Sequence, residues 1–170
     1  ETLIGKGDRD FATNVDIQIE SAIRSSLTAA APDVPILGEE QGGDTTVGPQ
    51  WVLDPIDGTI NFARESPLCA ISLSLLVAGQ PVLGIVDAPL LGERFVARRG
   101  GGAFLNGRRI EIAEVPDLSE AIIGIADFKV GVGSHEENRV HLGIVARFAH
   151  AALRVRMRRP TWANMRDSNC

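Results

Sequence analysis

Trp51-Val-Leu-Asp-Pro-Ile-Asp-Gly-Thr-Ile-Asn-Phe62 is a short apolar run that breaks into two aspartates three residues apart, then into a glycine and a hydroxyl. Trp51 to Asp54 reads as a buried strand, and Pro55, which has no N–H to give to a ladder, is expected to end it. Pro55 also restricts the backbone, so that Asp54 and Asp57 can point into one site with the Ile56 carbonyl between them as a third hard oxygen. The amides of Gly58, Thr59 and Ile60 can meet an anion if a helix or turn begins there. Two carboxylates held this close raise one another's pKa unless a cation shares the site. The donors are all oxygens, with no His or Cys nearby in sequence, so the expected cation is Mg²⁺, with Mn²⁺ possible, rather than Zn²⁺.

Upstream of this stretch, the short apolar segment Pro35-Ile-Leu-Gly38 delivers Glu39 and Glu40 to the head of a Gly-rich polar loop, residues 41–50. Glu39 and Glu40 are candidates to complete a cluster of two ions about 3.5–4 Å apart. Further back, Thr13 to about Ala31 reads as an amphipathic helix with Val15, Ile19, Ala22, Ile23 and Leu27 on its apolar face. Thr13 and Asp16 form a capping-box variant at its start, and Pro32 stops it. Downstream, Ile71, Leu73, Leu75 and Val77 alternate along a strand, and the period-two pattern of residues 68–112 describes an antiparallel meander. Turns are expected at Gly79-Gln-Pro81, at Pro89 to Gly92, and at Asn106-Gly107, where a two-residue hairpin needs positive φ twice. Ala121 to Phe128 is a candidate strand. Ser134 with Glu137 suggests a second capping box, before a helix whose apolar face carries Val140, Ile144, Val145 and Phe148. Strands grouped between helices indicate mixed α and β layers, not a doubly wound parallel sheet.

The 170 residues, 44% hydrophobic, 23% charged and 5% aromatic, describe an ordinary globular chain and exclude a disordered, collagenous or disulfide-built one. No apolar run approaches a bilayer span, and the first residues lack the apolar core of a signal peptide, so a cytoplasmic protein is expected. Cys69 and Cys170 have no metal-binding or redox spacing and are expected to be reduced thiols. The net charge is −5, but residues 154–170 hold five arginines against one aspartate, and that +4 segment leaves −9 on the rest. A body this acidic repels phosphate backbones, so no nucleic-acid partner is expected, and a small anionic substrate could enter only beside cations.

Asp54-Pro-Ile-Asp-Gly-Thr59 closely resembles the signature of the inositol monophosphatase family. It is accompanied in order by Asp8-x-Asp-Phe-Ala-Thr-Asn-Val-Asp16, Gly38-Glu-Glu40 and Gly100-Gly-Gly-Ala-Phe-Leu-Asn-Gly107, a resemblance that covers roughly residues 6–157. The resemblance implies an α+β fold, a layered α/β sandwich of the sugar-phosphatase type, here mainly its N-terminal antiparallel-sheet half with flanking helices. It implies that Glu39, Asp54, Asp57 and the Ile56 carbonyl bind Mg²⁺, and that Glu39 and Thr59 orient an attacking water with Asp16 supporting Thr59. Asp57 and the amides of Gly58 and Thr59 would receive the phosphate. It further implies a cytoplasmic, homodimeric, lithium-sensitive phosphomonoesterase acting on a small phosphorylated sugar, polyol or nucleotide-derived compound.

The family's second half carries a Trp-Asp motif with a further ligand, and after Met157 this chain instead reads Arg158-Arg-Pro-Thr-Trp-Ala-Asn-Met-Arg-Asp-Ser-Asn-Cys170. The sequence is therefore read as a truncated or C-terminally altered member, with residues 1–157 as the metal-binding portion and 158–170 as a divergent basic tail. Blander roles stand beside these: a cap for Asp16, turn formation for Asp54 and Asp57, surface exposure for Glu40 and for His135, His141 and His150, and a tight turn for the three glycines from Gly100. Two other functions compete. One is an aspartyl-phosphate phosphatase of the haloacid dehalogenase type, which wants its two acids two residues apart, where Asp54 and Asp57 are three apart. The other is a non-catalytic metal-binding or assembly remnant.

Overall fold

The alternation around Ile71 to Val77 becomes the third strand of a seven-stranded sheet. The computed structural model describes residues 3–7, 10–125, 128 and 133–157, in two compact units, Glu1–Ile110 and Glu111–Cys170. In chain order the first unit contains β1 (Leu3–Gly7), β2 (Asp10–Thr13), α1 (Asn14–Ala30), β3 (Ile36–Gly38), β4 (Gln50–Asp57) and the short α2 (Thr59–Ala63). It continues with β5 (Ala70–Val77), β6 (Gln80–Ala88), β7 (Glu93–Arg98), β8 (Gly102–Leu105) and β9 (Arg108–Ile110). The second contains β10 (Ile122–Ile125), α3 (Ser134–Ala151) and β11 (Arg154–Met157).

In the large sheet the strands follow one another from β3 to β9; β3 and β4 run parallel and every later neighbour is antiparallel. The sheet's buried apolar residues include Leu53, Ile56, Ala70, Ala88 and Phe95. The meander is as the sequence predicts, and Asn106 and Gly107 take φ of 49° and 79° in the β8–β9 hairpin. The β5–β6 turn differs from expectation. Ala78 and Gly79 hold the positive φ values, 50° and 69°, while Pro81 lies inside β6 beside a register shift opposite Leu76. A proline is tolerated there because the ladder is already interrupted.

Pro55 does not end β4 as expected, and the reason is the same. The strand runs on to Asp57, and its pairing with β5 skips from Asp54↔Ser72 to Asp57↔Ala70. Pro55 and Ile56 together oppose a single residue, Ile71, so the bulge absorbs the missing donor. Gln50, placed by sequence in the polar loop, opens β4 with a buried side chain whose amide donates to the Asp44 carbonyl at 2.5 Å.

Helix α1 starts where its capping box predicts: Thr13 Oγ1 accepts from the Val15 and Asp16 amides, and the Asp16 carboxylate accepts from Thr13 N at 2.8 Å. Its deepest face is polar, contrary to the expected apolar stripe. Asp16 and Glu20 are its buried residues, whereas Ile19, Ile23 and Leu27 are half-buried and Ala22 is exposed. The compensating partners come from other segments.

In the second unit β10 and β11 pair in parallel, from Ile122↔Arg154 to Ile125↔Met157. Arg154, counted in sequence with the basic terminus, therefore belongs to a strand. The cap of α3 is Gly133, at φ 85°, not Ser134, so the second capping box is not formed at that position. Val140, Leu142 and Ile144 on α3 are exposed; the two strands described in this unit are too few to cover a helix face. The expected strand continuation at residues 126–127, the Asp8 of the family motif, and the basic tail 158–170 with Cys170 lie outside the described residues. Among the described residues no helix is long and apolar enough to cross a membrane.

Candidate active site

Parallel pairing of β3 with β4 sets Gly38 beside Leu53, and the Glu39 amide donates to the Leu53 carbonyl at 3.0 Å. Glu39 directly follows the end of β3 at Gly38, and Asp54 follows Leu53 within β4. The exposed Glu39 consequently hydrogen-bonds through its side chain to the half-buried Asp54 carboxyl. The β4 bulge places Asp57 in the same neighbourhood, within the electrostatic reach of both.

Burial, followed by the charge of Glu39, pushes Asp54 up to about 8 from an ordinary 3.8, although the Ile56 amide donating to its carboxylate works the other way. Burial and then Glu39 also raise Asp57. The buried Cys69 is a free thiol, pushed up by its own burial and by Asp57. Burial and the neighbouring acid thus act in the same direction on both aspartates. Asp54 Oδ1 is buried and has no hydrogen-bond partner among the described residues. A buried carboxylate oxygen left this way is costly, and a cation is the partner that would satisfy it. Among the described residues no group of three or more His, Cys, Asp or Glu side chains stands as a finished metal shell. Glu39 and Asp54 form a hydrogen-bonded pair with Asp57 alongside. The all-oxygen donor set and the orphaned Asp54 oxygen fit a hard divalent ion.

Thr59 and Asp16 meet across the fold. The Thr59 hydroxyl lies 3.2 Å from Asp16 Oδ1 and 3.1 Å from the Ile56 carbonyl oxygen, and its single proton can serve one of them at a time. Asp16 Oδ2 meanwhile accepts from Thr13 Oγ1 at 2.5 Å, so the cap and the Thr59 contact use different oxygens of one carboxylate. Gly58 caps α2 at φ 90°, and a Cβ there would stand 2.9 Å from the Leu68 carbonyl oxygen. That conformation turns the chain sharply from β4 into the first amides of α2.

Two residues that sequence reasoning did not single out hold this arrangement. Glu20 is fully buried and ion-paired with Arg24, one turn further along α1, at 2.8 Å. Its carboxylate also accepts the amides of Glu40 and Gln41. The detectable signal was an acid and a base at i,i+4 in register with Asp16, which looks identical to a solvated helix face. The sequence's blander readings hold elsewhere: His135, His141 and His150 are exposed on α3, and Gly100 and Gly101 lie in the β7–β8 turn, with Gly102 opening β8.

The profile of the inositol monophosphatase family matches residues 1–161 of the chain. An inositol-1-monophosphatase, ImpA, of Mycolicibacterium smegmatis is 37% identical over 166 residues, which is 97% of this chain and 60% of that protein. The extragenic suppressor protein suhB of Bartonella henselae superposes with a TM-score of 0.80 at 27% identity, over 91% of this chain and 59% of that one. A staphylococcal IMPase solved with its products superposes with a TM-score of 0.75 at 31% identity, over 91% and 56% respectively. The chain therefore spans less than two thirds of the length of each of these relatives.

Proposed function

The chain belongs to the inositol monophosphatase family, and on that premise we propose that it carries the metal-binding and water-orienting portion of a Mg²⁺-dependent phosphate monoester hydrolase. Glu39, Asp54, Asp57 and the Ile56 carbonyl are the residues that would hold Mg²⁺, with Mn²⁺ as a substitute. The observation that carries this reading is the buried, partnerless Asp54 Oδ1 beside Glu39. When bound, a divalent ion supplies positive charge to the phosphoryl oxygens and makes a nearby water more acidic.

The chain's own groups account for positioning. With its proton directed to Asp16 or Ile56, the Thr59 oxygen keeps lone pairs to accept one O–H of the attacking water. In this reading the Glu39 carboxylate, which is exposed, would accept the other. Asp57 would meet the approaching phosphate, and the amides of Gly58 and Thr59, at the start of α2, would receive its oxygens. The water oxygen bonds to phosphorus as the ester oxygen leaves in line, giving the free alcohol and inorganic phosphate. No phosphoenzyme forms, and the aspartyl-phosphate alternative is set aside with the family assignment.

For the substrate we propose inositol monophosphate or a related sugar or polyol phosphate. One structural relative is a dual specific IMPase/NADP phosphatase solved with D-inositol-1-phosphate, and another relative is named a histidinol-phosphatase, so the class is broader than one compound. A cytoplasmic homodimer belongs to the same proposal, as does a division into a metal-binding portion, residues 1–157, and a separate basic tail. Because the chain spans only part of its relatives' length, metal binding without turnover is the second reading. Phosphate release from inositol 1-phosphate, with Mg²⁺ and with EDTA, tests both. Release only with Mg²⁺ supports the first, Mg²⁺ binding without release supports the second, and equal release in EDTA overturns the mechanism.

A further inference from the structure

We infer that Glu20 and Arg24 are the positioning pair for Glu39, a clamp on α1 with a buried acid and a half-buried base that holds the turn after β3 so that the Glu39 carboxylate faces Asp54. The inference rests on the metal-binding reading of Glu39 and adds to it two residues which that reading does not contain.

Apart from the bond between them, the hydrogen bonds of the pair fall on the segment that bears Glu39. Glu20 Oε2 accepts the Glu40 amide at 2.8 Å, and Oε1 accepts both the Gln41 amide at 3.0 Å and Arg24 Nε at 2.8 Å. Arg24 reaches across the turn, donating from Nη1 to the Ile36 carbonyl at 3.2 Å and from Nη2 to the Gly42 carbonyl. The turn closes on itself through Gly38 N to the Gly42 carbonyl at 3.0 Å, and Gln41 Nε2 adds a bond to Ser21 Oγ at 2.9 Å. Residues on both sides of Glu39 are therefore fastened to one helix, while its own amide is fastened to Leu53.

Gly38 is part of the same device. A Cβ at Gly38 would lie 2.2 Å from Glu20 Oε1 and 2.7 Å from Arg24 Nη2, so the carboxylate occupies the space that a side chain would take. An isolated buried acid on a helix is costly, and here the arginine and two amides satisfy it. The charge has a directional use that an apolar residue would lack. It orients backbone donors, which fixes the turn's rotation about the helix axis and hence where Glu39 points. Asp16, Glu20 and Arg24 follow one another at i,i+4 spacing, so the row that fixes Glu39 also fixes Thr59.

The test is Mn²⁺ binding to the full chain, read by electron paramagnetic resonance, together with amide hydrogen exchange at Glu40 and Gln41 and thermal unfolding in EDTA. The variants are E39Q, E20Q, R24M and R24K. Partners that orient a metal's ligands are worth about ten- to hundredfold in affinity when removed. The expected result is a loss of that order in E20Q and R24M, faster exchange at both amides, and partial recovery in R24K, which keeps the charge but not the fork. A role in stability alone would lower the unfolding midpoint and leave Mn²⁺ affinity of the folded chain unmoved, and that result overturns the inference. If E39Q weakens Mn²⁺ binding while E20Q and R24M bind as the parent does, the clamp fails and the metal reading survives. If E39Q itself binds as the parent does, both fail. Should E20Q not fold, the comparison of R24M with R24K decides.

Discussion

Thr59 Oγ1 stands 3.2 Å from Asp16 Oδ1, although 43 residues separate them in the chain. The other oxygen of the same carboxylate closes the cap of α1. The two roles weighed for Asp16 from sequence are therefore held together by one side chain, and variants can separate them.

Thr59→Ala removes the hydroxyl and leaves the cap intact. Thermal unfolding is expected to shift little, while phosphate release from inositol 1-phosphate falls on the order of a hundredfold or more, the usual cost of losing a group that orients the reacting water. Asp16→Asn should cost both: about 1 kcal/mol of stability from the weakened cap, plus a comparable loss of rate. A Thr59→Ala chain with unchanged turnover would remove Thr59 from the mechanism.

Asp54→Asn should separate binding from stability in opposite directions. Above about pH 8, where Asp54 has lost its proton, the amide relieves the repulsion with Glu39 and gives it a donor, so the metal-free chain is expected to gain about 0.5–1.5 kcal/mol in a denaturant melt. Mn²⁺ affinity should fall by more than the roughly ten- to hundredfold that losing a supporting partner costs. Loss of stability in EDTA would contradict the electrostatic account.

The pH dependence follows from the same residue. Asp54 titrates near 8 in the fold and near 3.8 ordinarily, so between those values the folded chain holds a proton that the unfolded chain has lost. Its contribution favours the folded state at low pH and is lost as pH rises through about 8. Denaturant melts in EDTA should show stability declining across that window. Saturating Mg²⁺, which replaces the proton, should flatten the decline.

Gly58→Ala is expected to destabilise by about 1–3 kcal/mol, the cost of a side chain held at positive φ. The Cβ contact with the Leu68 carbonyl at 2.9 Å adds to that strain and displaces the first amides of α2. Inorganic phosphate should then bind more weakly than to the parent chain, even at temperatures where both are folded, as titration calorimetry would measure.

Local signals were legible in the sequence where the physics is local. Thr13 and Asp16 are three residues apart and cap α1 by themselves; Asn106-Gly107 supplies its own positive φ; the alternation from Ile71 to Val77 states which residues share a sheet face. The bulge at Pro55 was not legible, because a missing N–H ends a strand or hides in an irregularity according to what the neighbouring strand does, and Ser72 and Ala70 decide that.

The amino-acid sequence alone determined the acidic, proline-stiffened segment, its donor chemistry and the mixed layers around it, since these depend on residue type and short spacing. Only the tertiary structure decided that Glu39 meets Asp54, because that requires β3 and β4 to run parallel and in register. It also decided that Glu20 is buried and Arg24 half-buried rather than both solvated. An ion pair leaves water only when partners such as Glu40, Gln41, Ile36 and Gly42 replace its hydration, and those partners lie 12 to 21 residues away along the chain.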